Sequence, residues 1–299
     1  MKLAMSDPYA ETITVGGREQ EIRVLLHTDE AHAARPKCLL LHGNPGSMID
    51  WQRMIPGLAR FADVAAVDLP GFGRCPRPGY APGSLSLGRL ADYAVAVADA
   101  LSWREPINVI GHSHGGGVAQ TLAASHPDRV ARIILVGTLG APAHRSYRLL
   151  ALPGASSLAR AVGRAFESDR FASFNRRLLR LFMKDVFAPE PVPEEMVEYE
   201  LAFFGQRPEV LISMVQVALG GPSEQLHGKA SQICCPVMFL HGQEDALVPV
   251  QCARNIYEQV LASGGSAEFN SIAGAGHMLP RYQAETLVHR IREFLVGSK

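Results

Sequence analysis

The chain has 299 residues, of which 47% are hydrophobic, so it can bury a full core and its composition argues against disorder. Basic and acidic side chains both number 29, and this balance favours neither a nucleic acid nor an anionic membrane as partner. We find no apolar core of a signal peptide and no run that approaches a transmembrane helix. The five cysteines lack metal-ligand spacing, so we expect reduced thiols in a cytoplasmic protein.

Short apolar segments alternate with helical ones along the chain. Residues 12–15 and 20–27, joined by Gly16-Gly17, alternate apolar and polar side chains and predict a β-hairpin. Further strands are predicted at 37–41, 63–67, 107–110, 132–136, 236–240 and 267–272, and helices at 51–60, 86–102, 117–125, 249–261 and 281–296. An antiparallel start followed by β-α alternation predicts an α/β fold, with a mostly parallel eight-stranded sheet and helices on both faces.

Residues 141–229 interrupt this alternation with helical periodicity and hold seven of the twelve phenylalanines. One predicted helix places five apolar side chains on one face, namely Phe171, Phe174, Leu178, Leu181 and Phe182. We therefore predict a core made of residues 1–140 and 230–299, with an inserted all-helical cap at 141–229. The cap should lie over the carboxyl edge of the sheet, where open α/β sheets bind ligands.

A strand, a sharp turn and a helix meet at Ser113, within Gly111-His112-Ser113-His114-Gly115. Glycines two residues to either side of the serine let strand and helix backbones approach, where side chains would clash. Such a turn exposes the serine oxygen while its neighbours stay buried. A glycine-rich turn with no catalytic role would have a similar sequence. The residues of the other loops therefore decide whether Ser113 is a candidate nucleophile.

Three of those loops fall at the same edge of the predicted sheet. The loop at 42–46 follows the third strand, and the backbone N–H groups of Asn44 and His114 are candidate donors for an oxyanion. Asp245 follows the seventh strand, with Glu244 and Asp68 as competing carboxylates. His277 follows the last strand. His42 and His241 close strands, where a packed, hydrogen-bonded histidine is usual, and His112 and His114 are too close to Ser113 in sequence to serve as its base.

The order Ser113, Asp245, His277 is that of an α/β-hydrolase, and the whole chain resembles that superfamily. The residues that carry the resemblance are HGNPG at 42–46, DLPGFG at 68–73, GHSHGG at 111–116, GQEDALVP at 242–249 and GAGH at 274–277. The helical insertion resembles the cap of the branch that includes esterases, lactonases, carbon–carbon bond hydrolases, haloalkane dehalogenases and epoxide hydrolases. The last two use a nucleophilic aspartate, and serine at 113 argues against them. Trp51 after the Asn44 loop resembles the halide-holding pattern of dehalogenases, with core packing as the alternative.

The resemblance implies a serine hydrolase that forms an acyl-enzyme on Ser113, with His277 as base and Asp245 fixing its tautomer. It implies no metal or organic cofactor, and a small-molecule substrate as the partner. The phenylalanines of the cap, with Phe171 and Phe174 as candidate contacts, favour an apolar ester or lactone, although packing explains them equally. A carbon–carbon bond hydrolase of a vinylogous diketone would often have an arginine near the substrate carboxylate, and no arginine can be assigned to that position. Perhydrolase activity and a ligand-binding receptor on the same fold stay open.

Overall fold

We analysed a computed structural model, which describes residues 10–14, 21–27, 35–77, 83–140 and 150–297. Within those residues eight strands form one sheet in the order β1-β2-β4-β3-β5-β6-β7-β8. Their bounds are β1 Ala10–Thr14, β2 Glu21–His27, β3 Lys37–Leu41, β4 Asp63–Val67, β5 Ile107–His112, β6 Val130–Val136, β7 Val237–Gly242 and β8 Ala267–Ile272. The predicted turn at Gly16-Gly17 lies outside the described residues.

The sheet is parallel from β4 to β8, while β1 and β2 run antiparallel at one edge. The inner strands β5 and β7 are buried along their whole length, which explains their continuous apolar runs. At the far edge, β8 is only half-buried and its sequence alternates accordingly. This confirms the predicted mostly parallel sheet. All loops that follow parallel strands therefore open at one edge.

Helices cover both faces of the sheet. In chain order they are α1 Ile55–Leu58, α2 Leu87–Ala100, α3 His114–Ser125, α4 Ala155–Phe166, α5 Ala172–Phe187, α6 Glu194–Gln206, α7 Glu209–Leu219, α8 Pro222–Gln225, α9 Val250–Ala262, α10 Leu279–Tyr282 and α11 Ala284–Val296. One apolar cluster joins the sheet to α2, α3 and α9, and a second joins its other face to α1 and α11. Each face thus has its own core.

The described part of the segment between β6 and β7 is helical, from α4 to α8. Helix α5 buries a different face from the one its sequence predicts. Its buried residues recur every fourth position, at Asn175, Leu179, Met183 and Phe187. Leu179, Met183 and Phe187 of this stripe pack in the main core, and Asn175 can be buried beside them because its side chain donates a hydrogen bond to the carbonyl of Ala165.

The predicted helix at 51–60 is mostly a tighter turn. A 3₁₀ helix spans Met48–Trp51, and the four-residue α1 follows it. Ser47 begins the 3₁₀ helix with a capping box, in which the backbone N–H of Ser47 donates to Asp50. None of the helices in the described ranges is long and apolar enough to cross a membrane.

Candidate active site

Ser113 stands in a strained turn between β5 and α3. Its φ of 52° and ψ of −115° lie in a region that side chains rarely adopt. A side chain at Gly111 would overlap the backbone of Gly115, and one at Gly115 would overlap the carbonyl oxygen of Leu41. These contacts confirm the predicted reason for the two glycines. The strain is stored at the residue that the motif singles out.

The Ser113 turn opens helix α3 toward the loop after β3. His114 is the first residue of α3, so its backbone N–H belongs to the positive end of the helix. A Cβ atom at Gly43 would lie 3.3 Å from the Ser113 Cβ, which places the 42–46 loop against the serine. The predicted donors, the backbone N–H groups of His114 and Asn44, therefore belong to two segments that border the same serine.

His42 fixes that loop. Its Nε2 accepts a hydrogen bond from the backbone N–H of Leu69 at 2.9 Å, so its Nδ1 carries the proton and donates to the carbonyl of Gly43 at 2.7 Å. Burial lowers the pKa of His42, which keeps the ring neutral. His241 is equally buried and bonds the carbonyl of Val248 at 2.8 Å. Both histidines are packed, hydrogen-bonded groups, as their positions at strand ends predict.

Asp245 and His277 form a buried pair. The Nδ1 of His277 lies 2.7 Å from Oδ2 of Asp245, and the other oxygen of Asp245 accepts the backbone N–H groups of Leu247 and Val248 at 3.0 and 2.7 Å. Burial by itself would raise the pKa of Asp245, but His277 and the hydrogen bonds from His241 and His277 hold it below its usual value. Asp245 is therefore an ionised partner for His277.

The two competing carboxylates occupy other positions. Asp68 is buried and accepts the backbone N–H groups of Met48 at 2.8 Å and Arg74 at 2.8 Å, so it ties two loops together. Glu244 is exposed to solvent. Neither is hydrogen-bonded to His277, and the geometry favours Asp245.

Close backbone approaches hold the histidine loop in place. A side chain at Gly276, directly before His277, would overlap the carbonyl oxygen of Ala188 at the end of α5. A side chain at Gly242, at the end of β7, would overlap the carbonyl oxygen of Ala275. The glycines beside His277 thus allow the helical segment to pack directly on the loop that carries the histidine.

Comparison with known proteins identifies the family of this fold. The family model of the alpha/beta hydrolase fold matches residues 39–280, which is most of the chain. The chain belongs to the α/β-hydrolase family. The resemblance drawn from its five motifs is thereby confirmed.

Relatives of this α/β-hydrolase include enzymes of two reaction classes. The 2-hydroxymuconate semialdehyde hydrolase of Pseudomonas sp. (strain CF600) is 28% identical over 288 residues, covering 93% of this chain and 92% of that protein. The pimeloyl-[acyl-carrier protein] methyl ester esterase of Aeromonas hydrophila is 27% identical over 215 residues, covering 72% and 79%. Among solved structures, a meta-cleavage product hydrolase of Pseudomonas fluorescens IP01 superposes with a TM-score of 0.71 at 22% identity, covering 95% of this chain and 96% of the other, and this shows a shared fold.

Ser113 and His277 line one cavity of about 70 Å³ in this α/β-hydrolase. Its floor comes from the sheet edge and the 42–46 loop. Its roof comes from α5 and α6, which contribute Leu179, Phe182, Met183, Val186, Phe187, Met196, Glu200 and Phe204. Sequence reasoning missed most of this roof, because helical periodicity marks a buried face but not the cavity it covers.

Three predicted substrate contacts lie elsewhere. Trp51 is fully buried in the core, with its ring edge-on to His112 at 6.4 Å, and it does not line the cavity. Phe171 is 44% exposed and Phe174 is 59% exposed, and neither lines it. Helix α5 turns the Leu179 face inward, which leaves Phe174 on the outer surface. Phe182, on the border between the two faces, is the member of the predicted set that reaches the cavity.

Two larger cavities flank the small one. An apolar cavity of about 280 Å³ lies among the cap helices and shares Leu179, Phe182 and Phe204 with it. On the other side, a cavity of about 290 Å³ shares Asp50, Met196 and Met278 with it. The serine cavity thus adjoins an apolar cavity and a second one lined by both charged and apolar side chains.

Two carboxyl groups in the small cavity went unnoticed in the sequence. Burial raises the pKa of Asp50 to about 7, although the backbone N–H of Ser47 opposes the shift, and Asp68 adds to it. Burial and the negative charge of Asp50 raise the pKa of Glu200 to about 8. The capping box is a local sequence signal that could have identified Asp50. Glu200 is one of several glutamates in α6, and no local signal distinguishes it from the others.

Glu200→Gln should raise the melting temperature relative to the wild type more at pH 9 than at pH 5. An unfolded glutamate ionises near pH 4, whereas folded Glu200 keeps its proton up to about pH 8. Between those values the unfolded chain binds fewer protons, so the wild-type free energy of unfolding falls as pH rises. Glutamine does not titrate, so the free energy of unfolding of Glu200→Gln does not fall with pH for this reason. Thermal unfolding at pH 5, 7 and 9 measures the difference, and a pH-independent difference would contradict it.

Proposed function

We propose that this α/β-hydrolase is a serine hydrolase that cleaves a carboxylic ester or lactone. The observation that supports it most strongly is the 2.7 Å contact between His277 and Asp245 at the wall of the cavity that also holds Ser113. A serine needs a base, and the base needs an orienting partner. Asp245 is placed to orient His277, and His277 lines the same cavity as Ser113.

In the proposed mechanism the Nε2 of His277 takes the proton of Ser113, since Nδ1 is held by Asp245. The serine oxygen forms a bond to the acyl carbon, and the electron pair of the carbonyl moves onto its oxygen. The backbone N–H groups of His114 and Asn44 stabilise that oxyanion. His277 then gives its proton to the leaving alcohol, and water, activated by the same histidine, releases the acid. These steps use no cofactor.

Ester cleavage is favoured over carbon–carbon cleavage because no basic side chain lines the described part of the cavity. Asp50 and Glu200 line it, and no lysine or arginine does so among the residues the structure describes. A substrate carboxylate would therefore have no positive side chain to pair with in that lining. Similarity to 2-hydroxymuconate semialdehyde hydrolase supports carbon–carbon cleavage as the second candidate.

The adjoining apolar cavity supports an apolar acyl or alcohol group. Every residue that lines it is apolar, and three of them also form the wall of the serine cavity. Burying an alkyl chain there would contribute about 0.8 kcal/mol per methylene. The proposed substrate is therefore a small ester with at least one apolar arm.

Hydrolysis of a p-nitrophenyl ester series, from acetate to longer acyl chains, tests this proposal together with fluorophosphonate labelling of Ser113. Turnover of these esters with labelling is expected. Labelling without ester turnover would favour the carbon–carbon hydrolase, to be tried on vinylogous diketones. Neither turnover nor labelling would favour a binding protein on the same fold.

Phe182→Ala should shift the preference of the same series toward longer acyl chains. The Phe182 ring belongs to both the serine cavity and the apolar cavity, so removing it joins the two. The ratio of kcat/KM for the octanoate to that for the acetate should rise about ten-fold, as expected for one or two newly buried methylenes. Phe174→Ala, on the exposed face of the same helix, is the matched control and should leave the ratio unchanged. An unchanged ratio in Phe182→Ala would mean that the chain does not enter the apolar cavity.

A further inference from the structure

Exposed apolar side chains are concentrated on the helices that follow β6. Ten large apolar side chains are exposed in the part of the chain that the structure describes, and six of them fall within residues 150–187. These six are Leu152, Leu158, Phe171, Phe174, Leu181 and Phe182. Single exposed apolar side chains are ordinary, whereas a contiguous group of them marks a contact surface. The question is therefore whether these side chains adjoin one another.

On helix α5 they form a stripe. Phe174, Leu178 and Leu181 are spaced three or four residues apart, so they lie one above the other along the helix. Leu178 is half-buried, and the other two are exposed. This stripe is separate from the buried one that begins at Asn175, and it ends at the half-buried Asp185. Helix α5 thus has two apolar faces, and the core fully covers only one of them.

The mouth of the apolar cavity lies beside the stripe. Leu158 of α4 and Phe182 of α5 both line this cavity, and both are exposed. The cavity therefore reaches the surface between the two helices. We call this surface, made of Leu158, Phe174, Leu178, Leu181 and Phe182, the α4–α5 face.

Two positive side chains border the α4–α5 face. Arg177 lies within one helical turn of both Phe174 and Leu181, and Lys184 lies within one turn of Leu181. Both cations are exposed, and neither forms an ion pair with a described residue. Arg180 on the same helix is, by contrast, paired with a glutamate of α6. The apolar stripe is thus flanked by two charges that no described acidic group neutralises.

The balanced net charge of the chain is an average over an uneven distribution. Residues 150–187 hold seven basic and three acidic side chains, whereas residues 188–229 hold two and seven. The half of the helical segment that carries the α4–α5 face is therefore the positive half. Exposed phenylalanine and leucine beside such cations is the combination with which amphipathic helices bind the headgroup region of an anionic bilayer.

We propose that the α4–α5 face docks on an anionic lipid bilayer. Its phenylalanine and leucine side chains enter the interfacial region, and Arg177 and Lys184 contact lipid phosphate groups. The mouth of the apolar cavity then opens toward the bilayer. A second copy of the chain is the competing occupant, but a twofold contact would pair this face with itself and bring like charges together. The docking does not depend on the proposed ester reaction.

Co-sedimentation of the full chain with vesicles tests the docking. The vesicles are made of phosphatidylcholine, with and without phosphatidylglycerol. We expect binding to the anionic vesicles at low salt, and a partition coefficient about ten-fold lower for the neutral vesicles or at about 0.5 M salt. Leu181→Ser should lower the coefficient for anionic vesicles about ten-fold, and so should the double variant Arg177→Gln with Lys184→Gln.

The matched controls replace exposed residues outside this segment. Leu261→Ser lies at the end of α9, and the double variant Arg60→Gln with Arg292→Gln removes the same charge from the sheet domain. Both should bind anionic vesicles as the wild type does. Every replaced side chain is exposed, so we expect melting temperatures close to that of the wild type.

Two results would overturn the docking. One is a wild-type protein that does not bind anionic vesicles, and the other is binding that the α4–α5 variants reduce no more than the controls do. A dimer seen by analytical ultracentrifugation and abolished by Leu181→Ser, without vesicle binding, would assign the face to a second copy instead. Ester turnover is measured separately, so failure of the docking leaves the proposed function standing.

Discussion

Ser113→Ala should lower kcat for p-nitrophenyl ester hydrolysis by about four to six orders of magnitude. In the proposed mechanism the serine oxygen bonds to the acyl carbon, and removal of a triad nucleophile leaves only oxyanion stabilisation and binding. KM should change little, because the ester is still held by the rest of the cavity. Steady-state kinetics, with fluorophosphonate labelling as a second readout, measures the loss.

The matched control for this variant is Ser125→Ala, at the exposed end of the same helix. It should retain wild-type turnover and labelling. Alanine at 113 keeps a backbone conformation that costs about 1–3 kcal/mol for any side chain, so we expect the variant to fold with a melting temperature close to that of the wild type. If Ser113→Ala kept more than about one hundredth of the wild-type ester turnover, Ser113 would not be the nucleophile.

Asp245→Asn should lower kcat by about three to four orders of magnitude. In the wild type, Asp245 accepts the proton of His277 Nδ1, and this holds the tautomer in which Nε2 can receive the serine proton. An asparagine amide turned toward Nδ1 would donate instead, which places the ring proton on Nε2 and blocks it as a base. The loss should be in kcat rather than in KM, since Asp245 contacts His277 and not the ester.

Glu244→Gln provides the comparison for Asp245→Asn, because it removes a charge one residue away at an exposed position. Its turnover should be that of the wild type. If Asp245→Asn were nearly as active as the wild type, another carboxylate would have to orient His277. The buried contact between Asp245 and His277 would then not be needed for catalysis. Asp68 would then be the next to replace, although its bonds to Met48 and Arg74 make it a loop anchor as well.

The helical segment gives this α/β-hydrolase its proposed selectivity. The sheet edge supplies the reacting groups, whereas α5 and α6 supply the roof of the cavity and the wall it shares with the apolar compartment. Glu200 comes from α6 and Asp50 from the 3₁₀ helix after β3, so the two carboxyl groups meet only where α6 packs over the sheet edge. Substrate class would then depend on how these helices pack over the serine.

Local sequence determined the strands, most of the helices and the candidates for the reacting groups. Strand periodicity and the glycines around Ser113 reflect backbone geometry over a few consecutive residues. They can therefore be recognised without knowing which distant residues pack against them. Ser113, Asp245 and His277 each follow a predicted strand, and a parallel sheet brings the ends of those strands to one edge. Even so, the predicted helix at 51–60 proved to be a 3₁₀ turn and the short α1, since Pro56 is tolerated only in the first turn of a helix and α1 begins at Ile55.

Tertiary packing decided the rest of the site. Phe174 and Leu179 are both apolar members of α5, and packing of the Leu179 face into the main core decides which of them faces inward. Trp51 became a core residue because the sheet and its neighbours surround it. Asp50 and Glu200 are distant in sequence, and neither has a periodic signal that predicts the other. Their meeting beside Ser113 depends on the docking of α6 over the sheet edge, which no stretch of the sequence specifies by itself.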